Sequence, residues 1–175
     1  MLAQLKVRTQ LLALVGASLV LFVVAVAIAV LALQASQQRF QEFVDRDAVR
    51  LAAFNEMYAQ GLQSGQALRN IMLDPGNRKA YDNLDLAVSD FNAALKQAKE
   101  FSTGRADLAP VIEKIEKLAR QQQVARTAVV ADVSGSKFDE AKARLNKDET
   151  PAWRALKKDL LDGIALLSGE AEKTK

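Results

Sequence analysis

The amino-acid sequence predicts an all-α protein: an up-down-up-down antiparallel four-helix bundle whose first helix is continuous with an N-terminal transmembrane helix. Three observations lead to this fold class. Residues 11–33 are uniformly apolar and carry no charge. Beyond them, apolar side chains recur in steps of three, four and seven residues, the spacing of a helix packed on one face. Only 8 Gly and 3 Pro occur among 175 residues, so long helices are rarely interrupted.

Residues 11–33 form the predicted transmembrane helix. A helix of that length spans about 35 Å, enough for a hydrocarbon core of about 30 Å. A cleaved signal peptide is the alternative, but its apolar region would extend over only about 7–15 residues. Lys6 and Arg8 lie in the tail, residues 1–10, and favour the cytoplasmic side for that tail. We therefore predict that residues 34–175 form a domain on the outer side of the membrane.

The outer domain is divided by turn signals into four predicted helices. Their boundaries are about 34–73, 77–101, 107–133 and 137–175, separated by the segments DPGN, STGR and SGS. Because the connections are short, neighbouring helices are expected to alternate in direction. Pro151 in the fourth helix is expected either to kink it or to start a new segment capped by Thr150.

Two glycines, Gly61 and Gly65, lie four residues apart in the first soluble helix. Small residues at this spacing allow two helices to approach closely, for example in contact with a second subunit. The interpretation we favour is that both are tolerated glycines, each weakening the helix by about 1 kcal/mol.

Composition excludes much chemistry. The sequence contains no Cys and no His, which rules out thiol nucleophiles, His-assisted serine triads, disulfides and zinc sites built on nitrogen or sulfur. We predict no catalytic residue, no cofactor and no metal site, and hence no enzyme. Outside the tail, acidic and basic side chains nearly balance, so no nucleic-acid partner is predicted.

Three sequence segments resemble bacterial methyl-accepting chemotaxis proteins. They are LKVRT at 5–9 before the apolar span, QALRNIMLDP at 66–75, and KAY at 79–81. Together they resemble the four-helix-bundle sensor class that includes the aspartate receptor, over essentially the whole chain. The resemblance implies a homodimeric chemoreceptor sensor, anchored in the bacterial inner membrane with a periplasmic bundle. The second transmembrane helix and methylated cytoplasmic hairpin of that family do not occur in these 175 residues.

The resemblance also implies a small anionic ligand, often a carboxylate, near the far end of the bundle. Arg69 and Tyr81 flank the first predicted turn, and Arg126 and Arg144 flank the third, so all four fall at a similar height. Arginine suits this role because its donor fork can hold a carboxylate through two hydrogen bonds. Aspartate-type receptors place ligand-binding arginines late in the first soluble helix, which favours Arg69. The alternative for each arginine is a solvated or salt-bridged surface residue.

Two other functions remain open at this point. The same sensor bundle occurs on membrane sensor kinases and cyclases. A membrane-anchored adaptor that pairs through its helices would have a similar pattern but would bind no small molecule.

Overall fold

A computed structural model of the protein describes the backbone of residues 7–42 and 46–173, and the side chains of residues 9–41 and 46–169. Every regular element in these ranges is helical, which confirms the predicted all-α class. Residues 1–6 of the predicted tail, 43–45 of the predicted first soluble helix and 174–175 of the predicted fourth helix lie outside the described residues. The chain forms two structural units, residues 1–42 and 43–175.

The first unit contains one helix, α1 (Val7–Glu42), which is about 54 Å long at about 1.5 Å per residue. The most apolar 18-residue window within its stretch Thr9–Gln41 has a mean hydropathy of 3.0, and no part of that window is buried by protein. The one hydroxyl in the middle of this apolar stretch, that of Ser18, donates to the carbonyl of Leu14 at 2.9 Å. In the described part of the chain, α1 is the one helix long and apolar enough to cross a membrane.

The second unit is built from helices joined by short connections. They are α2 (Ala48–Leu73), α3 (Arg78–Phe101), α4 (Ala109–Ser134), α5 (Phe138–Arg144) and α6 (Thr150–Lys173), with a π-helical turn (Leu145–Glu149) between the last two. The predicted turn between α2 and α3 is present and is held by side chains. Asp74 Oδ1 accepts from the Gly76 N–H at 3.0 Å, and Asn77 Oδ1 caps α3 by accepting from the Ala80 N–H at 3.2 Å.

The π-helical turn lies immediately before Pro151. The Thr150 N–H bonds to the carbonyl of Leu145, five residues earlier, instead of four. Proline has no N–H for the carbonyl four residues before it, and the wider turn accommodates this loss. The irregularity is therefore a π turn inside a continuous helical run. A new segment, α6, does begin at Thr150 as one alternative predicted, but the Thr150 hydroxyl donates to the Glu149 carboxylate and forms no cap hydrogen bond among the described residues.

Two apolar clusters form the core of the second unit. The first core cluster takes residues from the first part of α2, the second part of α3, the first part of α4, and α6; its largest members are Phe54, Met57, Phe91, Leu95, Ile112, Ile115, Trp153, Leu156 and Leu160. The second core cluster takes residues from the second part of α2, the first part of α3, the last part of α4, and α5; it contains Leu68, Ile71, Leu84, Val129, Val133 and Ala141. Each large side chain buried in them contributes about 1.5–3 kcal/mol.

Candidate ligand-binding site

Arg69 lies one turn before the end of α2, with an exposed side chain. Its Nη1 donates to the carbonyl of Gly65, one turn earlier in the same helix, at 3.0 Å. This hydrogen bond holds the arginine along the helix surface and leaves most of the guanidinium available to solvent. The position is compatible with binding a carboxylate from solution, and equally with a solvated surface arginine.

Tyr81 lies in the first turn of α3 and is half-buried. Its ring packs against the second core cluster. Its hydroxyl donates to the carbonyl of Pro75 at 3.3 Å. Tyr81 therefore fastens the α2–α3 turn to the core, and this contact already uses the hydroxyl proton that a ligand would need.

Arg144 ends α5 and forms an ion pair with Asp132 of α4, with 2.7 Å between Nε and Oδ2. This hydrogen bond raises the pKa of Arg144. An incoming carboxylate would have to compete with one already in place. The surface ion-pair alternative describes Arg144 well in this structure.

Arg126 differs from the other three because it is buried in the unit, with 8% of its surface exposed. Burial lowers the pKa of its guanidinium, and the negative charge of Glu149 partly opposes this effect. In the described structure no carboxylate pairs with Arg126 and no acceptor completes a hydrogen bond with it. Its guanidinium nitrogens are not among the fully buried unpaired polar atoms, so they still reach solvent. The burial of the residue and the lack of an acceptor make this side chain the strongest anion-binding candidate of the four.

Arg126 lines a small cavity between α2, α3 and α4. The cavity has a volume of about 10 Å³, the space of about one water molecule. Its polar lining, apart from Arg126, consists of Ser64, Asn92, Gln122 and Gln123. Asn92 and Gln123 are exposed and are therefore free to move outward. None of the other three predicted residues lines this cavity, so the structure does not bring the four together there.

Three buried polar residues around Arg126 escaped the sequence analysis: Ser64, Gln122 and Glu149. Gln122 donates to Glu149 at 3.0 Å, and both side chains are almost fully buried. Ser64 donates to the carbonyl of Gly61 at 2.9 Å. In sequence this polar layer falls between the segments that build the two core clusters. One signal could have found it: Gln122 lies seven residues after Ile115 and seven before Val129, so it occupies a core position.

Metal binding finds no support in the described ranges, where no group of three Asp or Glu residues converges. The chemistry that this arrangement offers is therefore charge recognition by Arg126, with hydroxyl and amide groups around it. As for known proteins, no family model matches the chain, and neither a curated protein nor a solved structure is significantly similar to it.

Proposed function

We propose that the chain is the sensor module of a bacterial chemoreceptor, which binds a small anionic ligand and passes the signal across the membrane to control chemotaxis. Three features support this: the membrane-length helix α1, the helical second unit, and the chemoreceptor-like segments at 5–9, 66–75 and 79–81. In this proposal the N terminus is cytoplasmic, the anchor lies in the inner membrane, and the second unit is periplasmic and pairs as a homodimer.

The second unit is proposed to be an up-down-up-down antiparallel bundle. The first core cluster joins Phe54 near the start of α2 to Leu95 near the end of α3 and Ile112 near the start of α4. The second core cluster joins the opposite ends of the same three helices. This alternation supports antiparallel neighbours, as the short connections also do.

The single observation that carries ligand binding is the buried guanidinium of Arg126 beside a cavity with polar walls. Arginine without an acceptor in a site of low dielectric attracts an anion strongly. The present cavity holds about one water molecule, so a carboxylate requires outward movement of Asn92 and Gln123. A small organic acid or amino acid is the proposed ligand class.

Signal transmission is proposed to pass through Glu149. This carboxylate is the charge that favours the ionised form of Arg126, and it lies in the π turn immediately before α6. A ligand carboxylate would replace Glu149 as the charge that favours ionised Arg126, and would thereby weaken the interaction between α4 and the π turn. Such switches typically move a helix by about 1–2 Å, and the ligand acts only through its different affinity for the two arrangements.

The test uses the full chain in lipid nanodiscs and a thermal-shift screen of organic acids and amino acids, followed by calorimetry on the acids that stabilise it. Arg126→Gln is expected to weaken binding of such an acid by about 10- to 100-fold, because charge-assisted hydrogen bonds contribute about 1.5–3 kcal/mol. Arg120→Gln is the matched control, since Arg120 is exposed on the same helix and pairs with Glu116.

The outcomes separate the candidate functions. If no acid in the screen stabilises the chain, the sensor proposal fails and the adaptor is favoured. If an acid binds with unchanged affinity to the folded Arg126→Gln variant but is lost in Arg69→Ala, the sensor proposal stands and its site moves to the α2–α3 turn.

A further inference from the structure

A second cavity lies between the end of α3, the loop that follows it and the first turns of α4. Its volume is about 410 Å³, within the range of about 300–1,000 Å³ typical of small-molecule pockets. Ala106, Ala109 and Ile112 give it an apolar lining. It shares no lining residue with the Arg126 cavity.

Ser102 lines this cavity and carries an unsatisfied hydroxyl. The residue is 7% exposed, and its backbone N–H is satisfied by the carbonyl of Ala98 at 3.1 Å. Its Oγ is the one fully buried side-chain nitrogen or oxygen atom in the described ranges without a hydrogen-bond partner. An unpaired buried polar group costs about 1–3 kcal/mol. A polar group of a bound molecule would remove this cost.

Some of the charged side chains that line the cavity form ion pairs, and others do not. Lys99 pairs with Glu116 at 2.8 Å, and the hydrogen bond from Lys99 lowers the pKa of Glu116. Arg105 pairs with Asp107 at 2.6 Å. Both cations at the cavity are thus already paired with carboxylates.

Glu113 also lines the cavity, and its exposed carboxylate has no ion pair or hydrogen bond in the part of the chain that is described. Glu113 is therefore the charged lining group to which a ligand can pair without displacing another side chain. It favours a cationic molecule and disfavours a carboxylate.

We infer that this cavity binds a small primary amine with a compact apolar body and a second polar group. The body lies against Ala109 and Ile112, the polar group hydrogen-bonds to Ser102, and the ammonium pairs with Glu113. This ligand class is opposite in charge to the one proposed for Arg126. The two sites share no lining residue, so a substitution in one of them tests that site separately from the other.

The test compares three probes by calorimetry on the full chain in nanodiscs, with titrations of empty nanodiscs subtracted. Tyramine has both polar groups, phenethylamine lacks the hydroxyl, and 4-hydroxyphenylacetate replaces the ammonium with a carboxylate. Tyramine is expected to bind at least tenfold more tightly than 4-hydroxyphenylacetate, and several-fold more tightly than phenethylamine.

Two variants assign these preferences to their residues. Glu113→Gln is expected to remove most of the preference for the amine over the acid. Ser102→Ala is expected to remove the preference for tyramine over phenethylamine while the fold persists, since the change deletes a hydroxyl that has no partner. Glu140→Gln, at an exposed residue of α5, is the charge-matched control and is expected to change neither preference.

Ala109→Phe is expected to fill the cavity and abolish binding of the two amines. The proposal is overturned if tyramine gives no protein-dependent heat at millimolar concentration, or if it binds with unchanged affinity to both Glu113→Gln and Ser102→Ala. These two variants keep the test decisive even where Ala109→Phe fails to fold.

Discussion

The indole ring of Trp153 in α6 packs directly on Gly61 in α2. A Cβ atom built on Gly61 would overlap ring atoms Cζ3 and Cη2 of Trp153. The same indole stacks on Tyr58, one turn earlier in α2, with ring centroids 6.4 Å apart and 21° between the planes. The close approach of α2 and α6 within this chain thus requires a residue without a side chain at position 61.

Gly61→Ala is expected to destabilise the second unit by about 1–3 kcal/mol, because overpacking a filled core forces side chains and backbone to shift. This loss outweighs the gain of about 1 kcal/mol that alanine brings to a helix interior. Urea unfolding of the chain in detergent micelles, followed by circular dichroism at 222 nm, measures the change.

Gly169→Ala is the matched control, since a Cβ there would meet nothing within 4 Å. We expect it to leave stability unchanged or to raise it. Equal effects of the two substitutions would mean that the indole does not rest on Gly61 in solution.

The sequence predicts the helices and the turns between them, but it does not predict the contact between Gly61 and Trp153. Turn residues such as Asp74 and Asn77 act locally, so their role is visible in the sequence. The favoured interpretation of both glycines as tolerated is wrong for Gly61, because the partner, Trp153, lies 92 residues away. It remains compatible with Gly65, whose Cβ would meet only the flexible side chain of Arg69.

The candidate site was visible in the sequence only in part. The family resemblance implies an anionic ligand, and an anionic ligand points to arginine as the residue type of the site. Burial of Arg126 does not follow, because it depends on how α2 and α3 pack beside α4, and those contacts join residues far apart in the sequence. The predicted height of a residue along the bundle cannot say which side of its helix that residue occupies.

Glu149→Leu is expected to destabilise the chain by about 1–3 kcal/mol, because Gln122 loses its buried acceptor and Arg126 loses a compensating charge. A double-mutant cycle with Arg126→Met measures whether the two residues act together. We expect a coupling energy of about 0.5–3 kcal/mol, with the double variant less unstable than the sum of the single variants. If the destabilisation of the two single variants added up to that of the double variant in urea unfolding, Arg126 and Glu149 would not interact.

Stability in acid is expected to depend on Asp107. The hydrogen bond from Arg105 lowers the pKa of Asp107 from 3.8 to about 2. A lowered folded-state pKa stabilises the fold above the unfolded value, and this contribution disappears as the pH falls from about 4 to about 2. The side chain is 49% exposed, so we expect an effect below about 1 kcal/mol.

Asp107→Asn is therefore expected to flatten the decline in stability between pH 4 and pH 2, with unfolding midpoints measured at half-unit steps. Asp82→Asn is the control, because Asp82 is an exposed carboxylate for which the described structure shows no ion pair. An identical acid profile for the wild-type chain and Asp107→Asn would argue against the Arg105–Asp107 pair.

Membrane anchoring by α1 is expected to survive one central charge and to fail with two. Each apolar residue near the centre of a spanning helix contributes about −0.3 to −0.6 kcal/mol to insertion, and an arginine there costs about 2.5–3.5 kcal/mol. The 15 Leu, Val, Ile and Phe residues among residues 11–33 together contribute about −4.5 to −9 kcal/mol. One arginine is therefore offset, whereas the pair Val20→Arg and Val24→Arg, at about 5–7 kcal/mol, cancels most or all of that gain. Alkaline extraction of membranes measures the fraction of the chain that stays in the membrane, and the pair Val20→Ala and Val24→Ala is the control.

Release of the wild-type chain, with a new N terminus inside the apolar stretch, would instead identify α1 as a cleaved signal and remove the anchor on which transmembrane signalling depends.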